Sequence, residues 1–195
     1  MAFSLPPSKK VTRHSATPWA LLLLALATWL APVQAAELVR IGAAGVRVES
    51  ASLEADAEVE LQLNPTLEQA LQRGIPLHFE LRLEVTRPRW YWLDEEVLVA
   101  RREYRLAYHA LTRQYRLSSG SLHINHGSLA DALRSIARVR NWNVGEAALL
   151  TPGQRYRASL SLRLDRARLP QPFQIDAFGS GEWSIEGGQT WEFIP

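Results

Sequence analysis

Histidines are the first residues whose type and spacing could support chemistry. His123 and His126 are the one close histidine pair, and imidazole nitrogens are common zinc ligands. On a strand, residues three apart point to opposite faces, so this pair could chelate a metal only from a loop. No third ligand is evident nearby. The sequence therefore predicts no metal site and implies no cofactor.

Carboxylates offer a second possible chemistry. Glu80 and His109 could form the acid–base pair of an unrecognised hydrolase, although a cross-strand surface pair is the simpler interpretation. Asp94, Glu95 and Glu96 lie together, but glycosidases need two carboxylates at a separation that the sequence does not establish. The chain contains no G-x-S-x-G, H-E-x-x-H, P-loop, dinucleotide-binding or EF-hand motif. We therefore predict no catalytic residues and a non-enzymatic protein.

The most distinctive cluster is aromatic and basic. Alternation along a strand would put Trp90 and Trp92 on one face and Arg89 and Tyr91 on the other. If exposed, such a surface would suit a protein partner, a glycan or a lipid phosphate. Alternatively, both tryptophans cap the core and the arginines are solvated. The candidate interaction surface consists of Arg87, Arg89, Trp90, Tyr91 and Trp92.

These residues lie near the turn of a long β-hairpin that is predicted within residues 75–117. A register in which paired residue numbers sum to 189 sets Val85 opposite Tyr104, with apolar residues on one side. The same register pairs opposite charges on the other side, places a bend at Pro88 and Arg101, and leaves a loop from residue 93 to 96. A third strand then folds back and pairs Tyr108 with Tyr115.

The remaining elements predict a mainly β fold. Alternation over residues 53–63 and 156–164 is typical of half-buried strands. Asn64-Pro65 predicts the start of a short helix, and a capping box at Ser128 predicts the main helix over residues 129–140. Residues 182–185 and 190–194 are expected to close the fold as a hairpin around Gly187-Gly188. The predicted class is an antiparallel β-sandwich-like single domain with one main α-helix and one short helix.

The first 35 residues are predicted to be a signal peptide. A basic segment precedes an apolar stretch over residues 19–30, and Val33-Gln34-Ala35 supplies small residues for cleavage after Ala35. Spanning a bilayer takes about 20 apolar residues, and Pro32 interrupts the run sooner, so an uncleaved anchor is the weaker alternative. We expect a periplasmic protein with no transmembrane segment after the signal is removed.

Removal of that segment changes the charge of the protein. The full chain has 22 basic and 20 acidic residues, a net charge of +2. Lys9, Lys10 and Arg13 leave with the signal peptide, so 19 basic residues remain against 20 acidic ones, a net charge of −1. No nucleic acid partner is therefore expected. The absence of cysteine excludes disulfides and Cys-ligated metals, and residues 36–195 are long enough for one domain with one core.

Three segments of the chain resemble a known family. They are Thr86–Trp92 (TRPRWYW), Tyr104–Leu117 (YRLAYHALTRQYRL) and Leu169–Phe173 (LPQPF). Together they are similar to the bacterial exported proteins grouped as the domain of unknown function numbered 4390, over nearly the whole chain after the signal peptide. The family has no assigned activity or catalytic residues to carry over. Its members tend to be encoded beside a membrane-bound sensor histidine kinase of the nitrogen-regulation type, so the resemblance implies an envelope-signalling partner.

Overall fold

Alternating apolar and polar residues fold into two antiparallel sheets. The computed structural model describes residues 38–91, 93–171, 173–174 and 181–195. Residues 37–195 pack as one compact unit, and the predicted signal peptide lies outside the described residues. The prediction of a mainly β, sandwich-like fold with two helices is confirmed.

The strands are divided between a small sheet and a large sheet. A three-stranded sheet has the order β1-β2-β7, and a six-stranded sheet has the order β6-β5-β4-β3-β8-β9. The strands are β1 (Val39–Glu49), β2 (Ser52–Leu61), β3 (Leu77–Arg87), β4 (Glu95–His109), β5 (Gln114–Ser119), β6 (Leu122–His126), β7 (Arg138–Glu146), β8 (Tyr156–Leu164) and β9 (Glu186–Phe193); the helices are α1 (Pro65–Gln72) and α2 (Leu129–Ala137).

The core lies between the two sheets and under the helices. Every second residue of β2, β3 and β8 points inward, as period-two alternation requires. Burying one such aliphatic or aromatic side chain contributes about 1.5–3 kcal/mol, so these three strands supply much of the stability. The most deeply buried inward residues are Leu53, Leu77, Phe79, Leu81, Leu83, Val85, Tyr156, Ala158, Leu160 and Leu162.

Both helices begin where the sequence predicts. The Asn64 side chain accepts a hydrogen bond from the Leu67 amide at 2.9 Å, and the Ser128 hydroxyl accepts one from the Asp131 amide at 3.1 Å. Such caps satisfy amides that have no partner within the helix. The main helix, however, ends at Ala137 rather than at residue 140.

The early end of α2 has a tertiary cause. From Arg138 the chain pairs with β2 as the third strand of the small sheet. Asn141 then adopts a positive φ of 47°, at an irregularity of the β2–β7 ladder where its amide donates to Asp56 at 2.9 Å. Neither pairing with β2 nor a left-handed residue is compatible with a continuing helix.

The hairpin of β3 and β4 forms, but the predicted register is wrong. From Leu77 to Val85 the paired residue numbers sum to 183 rather than 189, so Leu81 lies opposite Arg102 and Glu80 opposite Glu103; beyond Val85 they sum to 182. Because six is an even number and side chains alternate with a period of two, this slip leaves the side chains of residues 79–85 and 104–108 on their predicted faces. The faces of residues 97–101 differ from the prediction, because the ladder continues without a break at Arg101. The irregularity of the ladder lies between Val85 and Thr86 rather than at the predicted position.

Residues outside the hairpin explain this register. Glu80 and Glu103 face each other, and like charges in that position destabilise a sheet. Arg163 on β8 donates to Glu80 at 2.8 Å, and Arg168 forms two hydrogen bonds with Glu103 at 2.7 and 2.9 Å. Both carboxylates are thus compensated by cations from beyond the hairpin. The predicted pairing of β4 with β5, including Tyr108 with Tyr115, is confirmed.

The predicted closing hairpin is also wrong. Residues 186–193 form one strand, β9, along the edge of β8, and Gly187-Gly188 lie inside it. A Cβ at Gly187 would come within 2.5 Å of the Val39 carbonyl oxygen. Glycine is needed there because β1 passes close to β9, and not because the chain turns.

Candidate interaction surface at the hairpin tip

The corrected register determines which residues form the end of the hairpin. Arg87, the last residue of β3, pairs with Glu95, the first residue of β4. The described residues between them, 88–91, 93 and 94, lie in a loop that begins earlier than the predicted loop of residues 93–96. Pro88 has no backbone N–H to donate to a continuing ladder, so it is well suited to the start of the loop. We call residues 87–95, without Trp92, the hairpin tip; Trp92 lies outside the described residues.

The aromatic side chains of the hairpin tip face solvent. Trp90 is 93% exposed and Leu93 is 81% exposed, with Tyr91 also exposed between them in the chain. The Trp90 and Tyr91 rings meet edge to face, with centroids 4.9 Å apart and planes at 68°. The alternative in which Trp90 caps the core is therefore wrong. An exposed apolar patch of this kind is typical of an interaction site.

The arginines of the hairpin tip are held by a carboxylate. Arg87 donates to Glu95 at 2.9 Å, and Arg89 forms an ion pair with the same carboxylate. Hydrogen bonds first from Arg89 and then from Arg87 lower the pKa of Glu95 below its ordinary value. Asp94 pairs with Arg157 on β8 at 2.5 Å. The guanidinium groups therefore fasten the loop, and part of their capacity to bind an external anion is already used.

Glu80 and His109 do not pair, so the predicted cross-strand surface pair is wrong, and the alternative acid–base pair does not form either. Glu80 lies opposite Glu103 and binds Arg163. His109 is the last residue of β4 and lies opposite Gln114. Six residues along β4 correspond to roughly 20 Å between the two positions. The two side chains are too far apart to act together as an acid and a base, so the hydrolase hypothesis based on this pair is not supported.

The two close histidines also point apart. Both lie on β6, a strand that the sequence interpretation missed, so they face opposite sides of the sheet. The Nδ1 atom of His123 lies 2.9 Å from the Ser118 hydroxyl on β5. Within the described ranges, no group of three or more His, Cys, Asp or Glu residues could hold a metal ion.

The sequence analysis did not identify one polar cluster that the structure shows. His78, Arg105, Ser118 and His123 line a cavity of about 260 Å³ on the outer face of the large sheet, next to the Arg168–Glu103 pair. Burial, followed by the charges of Arg168 and Arg105, lowers the pKa of His78. The sequence carried no local signal for this cluster, because it depends on the true register, which sets His78 opposite Arg105.

No helix in the described part of the chain combines the length and the apolar character needed to cross a membrane.

Comparison with known proteins places the chain in a family without assigning an activity. No curated protein and no solved structure matches the chain. The family model described as "Domain of unknown function (DUF4390)" matches residues 36–192. The chain belongs to the DUF4390 family.

Proposed function

We propose that the protein is a non-enzymatic, exported interaction module that docks a protein partner of the cell envelope through the hairpin tip. The observation that supports this proposal is the nearly complete exposure of Trp90 on a loop whose two ends are fixed. Tryptophan is one of the residue types enriched among the side chains that dominate binding at the centres of protein interfaces. A fixed loop also loses little conformational entropy when it binds.

The ion pairs of the hairpin tip favour a protein partner over a lipid phosphate. A phosphate would have to compete with Glu95 for Arg87 and Arg89, and with Asp94 for Arg157. The carboxylates of the tip also repel anionic headgroups. An apolar pocket on a protein, by contrast, can receive Trp90 and Leu93 while these ion pairs stay at the polar rim.

Site-specific photocrosslinking in the native host tests this proposal. A photoreactive residue at position 91 or 93 is expected to capture one and the same envelope protein, identified by mass spectrometry. The sensor region of a membrane-bound histidine kinase is the first partner to look for. Leu111 provides a matched control, because it is an equally exposed apolar residue in the turn after β4, at the opposite end of that strand.

A substitution separates specific capture from chance contact. Trp90→Ala, combined with the crosslinker at position 93, is expected to abolish capture while the free energy of unfolding stays the same. Capture that persists in Trp90→Ala, or that occurs equally from position 111, would refute docking through the tip. Binding of phospholipid vesicles that is lost in Arg87→Gln would point to a lipid headgroup instead and would also refute the proposal.

Export is tested separately. Amino-terminal sequencing of the protein from the periplasmic fraction is expected to begin at Ala36, after cleavage behind Ala35. Recovery of the chain in the cytoplasm with its original amino terminus would refute this part of the proposal. The docking experiment remains informative in either case, because the hairpin tip belongs to the unit formed by residues 37–195.

A further inference from the structure

The large sheet is wider than the small sheet that covers it. Three strands face six, so the inner face near β6 extends past the small sheet. Leu117 and Ile124 are cross-strand neighbours on this inner face. Leu117 is buried, yet Ile124 is 39% exposed and Leu122, in the same strand, is 59% exposed. Two aliphatic side chains that point toward the inside of the sandwich therefore remain open to solvent.

Arginines surround this apolar floor. A groove of about 400 Å³ lies over it, and Arg102, Arg138 and Arg140 line its walls. Arg140 is paired with Glu58. Among the residues that the structure describes, neither Arg102 nor Arg138 forms an ion pair, and no acidic side chain lines the groove. The groove is therefore apolar at its base and cationic at its rim.

Arg102 is positioned rather than loosely solvated. Its guanidinium group lies over the ring of Trp142, 5.0 Å from the centroid. A cation–π contact orients the group but leaves its charge uncompensated. Ser119 and Ser135 add hydroxyl groups to the same lining. An incoming carboxylate would find ready donors here.

We propose that this groove binds a fatty acid. The acyl chain covers Leu122 and Ile124, and the carboxylate accepts hydrogen bonds from Arg102 and Arg138. The volume lies in the range typical of small-molecule sites. A neutral lipid would leave Arg102 and Arg138 without an ion-pair partner, and a bare inorganic anion would leave the aliphatic floor exposed. A single-chain carboxylate satisfies both parts of the lining.

Binding of dodecanoate and of dodecanol to the full chain tests the chemistry of the site. Isothermal titration below the micelle concentration is expected to show saturable one-to-one binding of dodecanoate. The alcohol has the same chain length but no charge, so its affinity is expected to be at least tenfold lower. Equal affinities for the two ligands, or binding that does not saturate, would overturn the proposal.

Matched variants test the location of the site. Arg138→Gln and Arg102→Gln are each expected to weaken dodecanoate binding about tenfold. Arg101→Gln is the control, because Arg101 is exposed on the opposite face of the same strand. In NMR spectra, dodecanoate is expected to shift the Ile124 methyl resonances and leave the Trp90 indole unchanged. Unaltered affinity in both groove variants, or shifts confined to Trp90, would overturn this assignment independently of the proposal for the hairpin tip.

Discussion

Substitution of Gly187 tests a close approach between the two sheets, where β1 passes β9. In Gly187→Ala, the new methyl group would lie 2.5 Å from the Val39 carbonyl oxygen and 2.7 Å from the Val39 Cβ. Non-bonded carbon atoms prefer a separation of about 3.5–4.0 Å. The atoms in the way belong to the β1 backbone or lie next to it, so no flexible side chain can move aside. Either β1 or β9 must shift by roughly 1 Å.

The magnitude follows from the cost of overpacking. A forced backbone shift of this kind costs about 1–3 kcal/mol. For a domain of this size, each kcal/mol lowers the melting temperature by about 2–4 °C, so a decrease of roughly 2–12 °C is expected. Gly45 provides the control. It lies in β1, the strand that Gly187 of β9 approaches, but a Cβ there would have no atom within 4 Å. We expect Gly45→Ala to change the free energy of unfolding by less than about 0.5 kcal/mol.

Urea denaturation followed by circular dichroism measures both variants. Gly187→Ala is expected to lower the unfolding midpoint with an unchanged m-value, since the same surface is exposed on unfolding. Gly187→Val should lower it further. A free energy of unfolding for Gly187→Ala within about 0.5 kcal/mol of the wild type would show that β1 does not lie against β9 at this glycine.

Three further measurements address the core, a titrating group and a helix cap. Trp142→Ala should cost about 3–5 kcal/mol in urea denaturation because Trp142 is buried, whereas Trp90→Ala should cost less than about 0.5 kcal/mol; equal costs would contradict the exposure of Trp90. The pKa of His78 is lower in the folded protein than the ordinary value of 6.5, so the unfolded chain binds the proton more readily. The contribution of this histidine to stability is therefore present above pH 6.5 and is lost as the pH falls toward the folded-state pKa. Denaturation between pH 7.5 and 5.5 should therefore show a steeper loss in the wild type than in His78→Gln, and identical slopes would refute it. Ser128→Ala should destabilise the protein by about 1 kcal/mol through loss of the α2 cap, while Ser121→Ala, in an exposed turn, should not; equal effects would contradict the cap.

Local patterns were enough to predict most elements. The alternation of β2 and β8 specifies which face is buried without any knowledge of their neighbours. The cap residues Asn64 and Ser128 act within one helical turn, so their roles are also local. The β4–β5 register was predictable because a short turn leaves few alternatives.

Contacts between residues distant in sequence determine the elements that local patterns did not predict. A run of helical spacing continues past Ala137, but pairing of Val139 with β2 ends the helix earlier. The strand β6 was missed because Leu122 and Ile124 are too few to show a clear alternation, and it exists as a strand because it pairs with β5. The glycine pair in β9 suggested a turn, whereas Gly187 in fact accommodates β1. In each case a neighbour distant in sequence determined the local conformation.

The exposure of Trp90 depends on the same kind of long-range contact. In the register with the sum 189, Trp90 would sit opposite Val99 within the ladder, where it could pack against the sheet. The observed register ends the ladder at Arg87 and Glu95, so Trp90 falls in the loop and faces solvent. That register leaves Glu80 and Glu103 facing each other, a repulsion offset by Arg163 and Arg168 from outside the hairpin.

The hairpin tip is therefore connected energetically to β8. Arg163 on β8 supports the register that releases Trp90, and Arg157 on the same strand holds Asp94 beside the tip. The orientation of the aromatic residues therefore depends on β8 as well as on the loop itself. A partner that binds Trp90 would then recognise a surface built by three strands, which explains why a loop of exposed aromatic residues can be rigid enough to serve as a docking site.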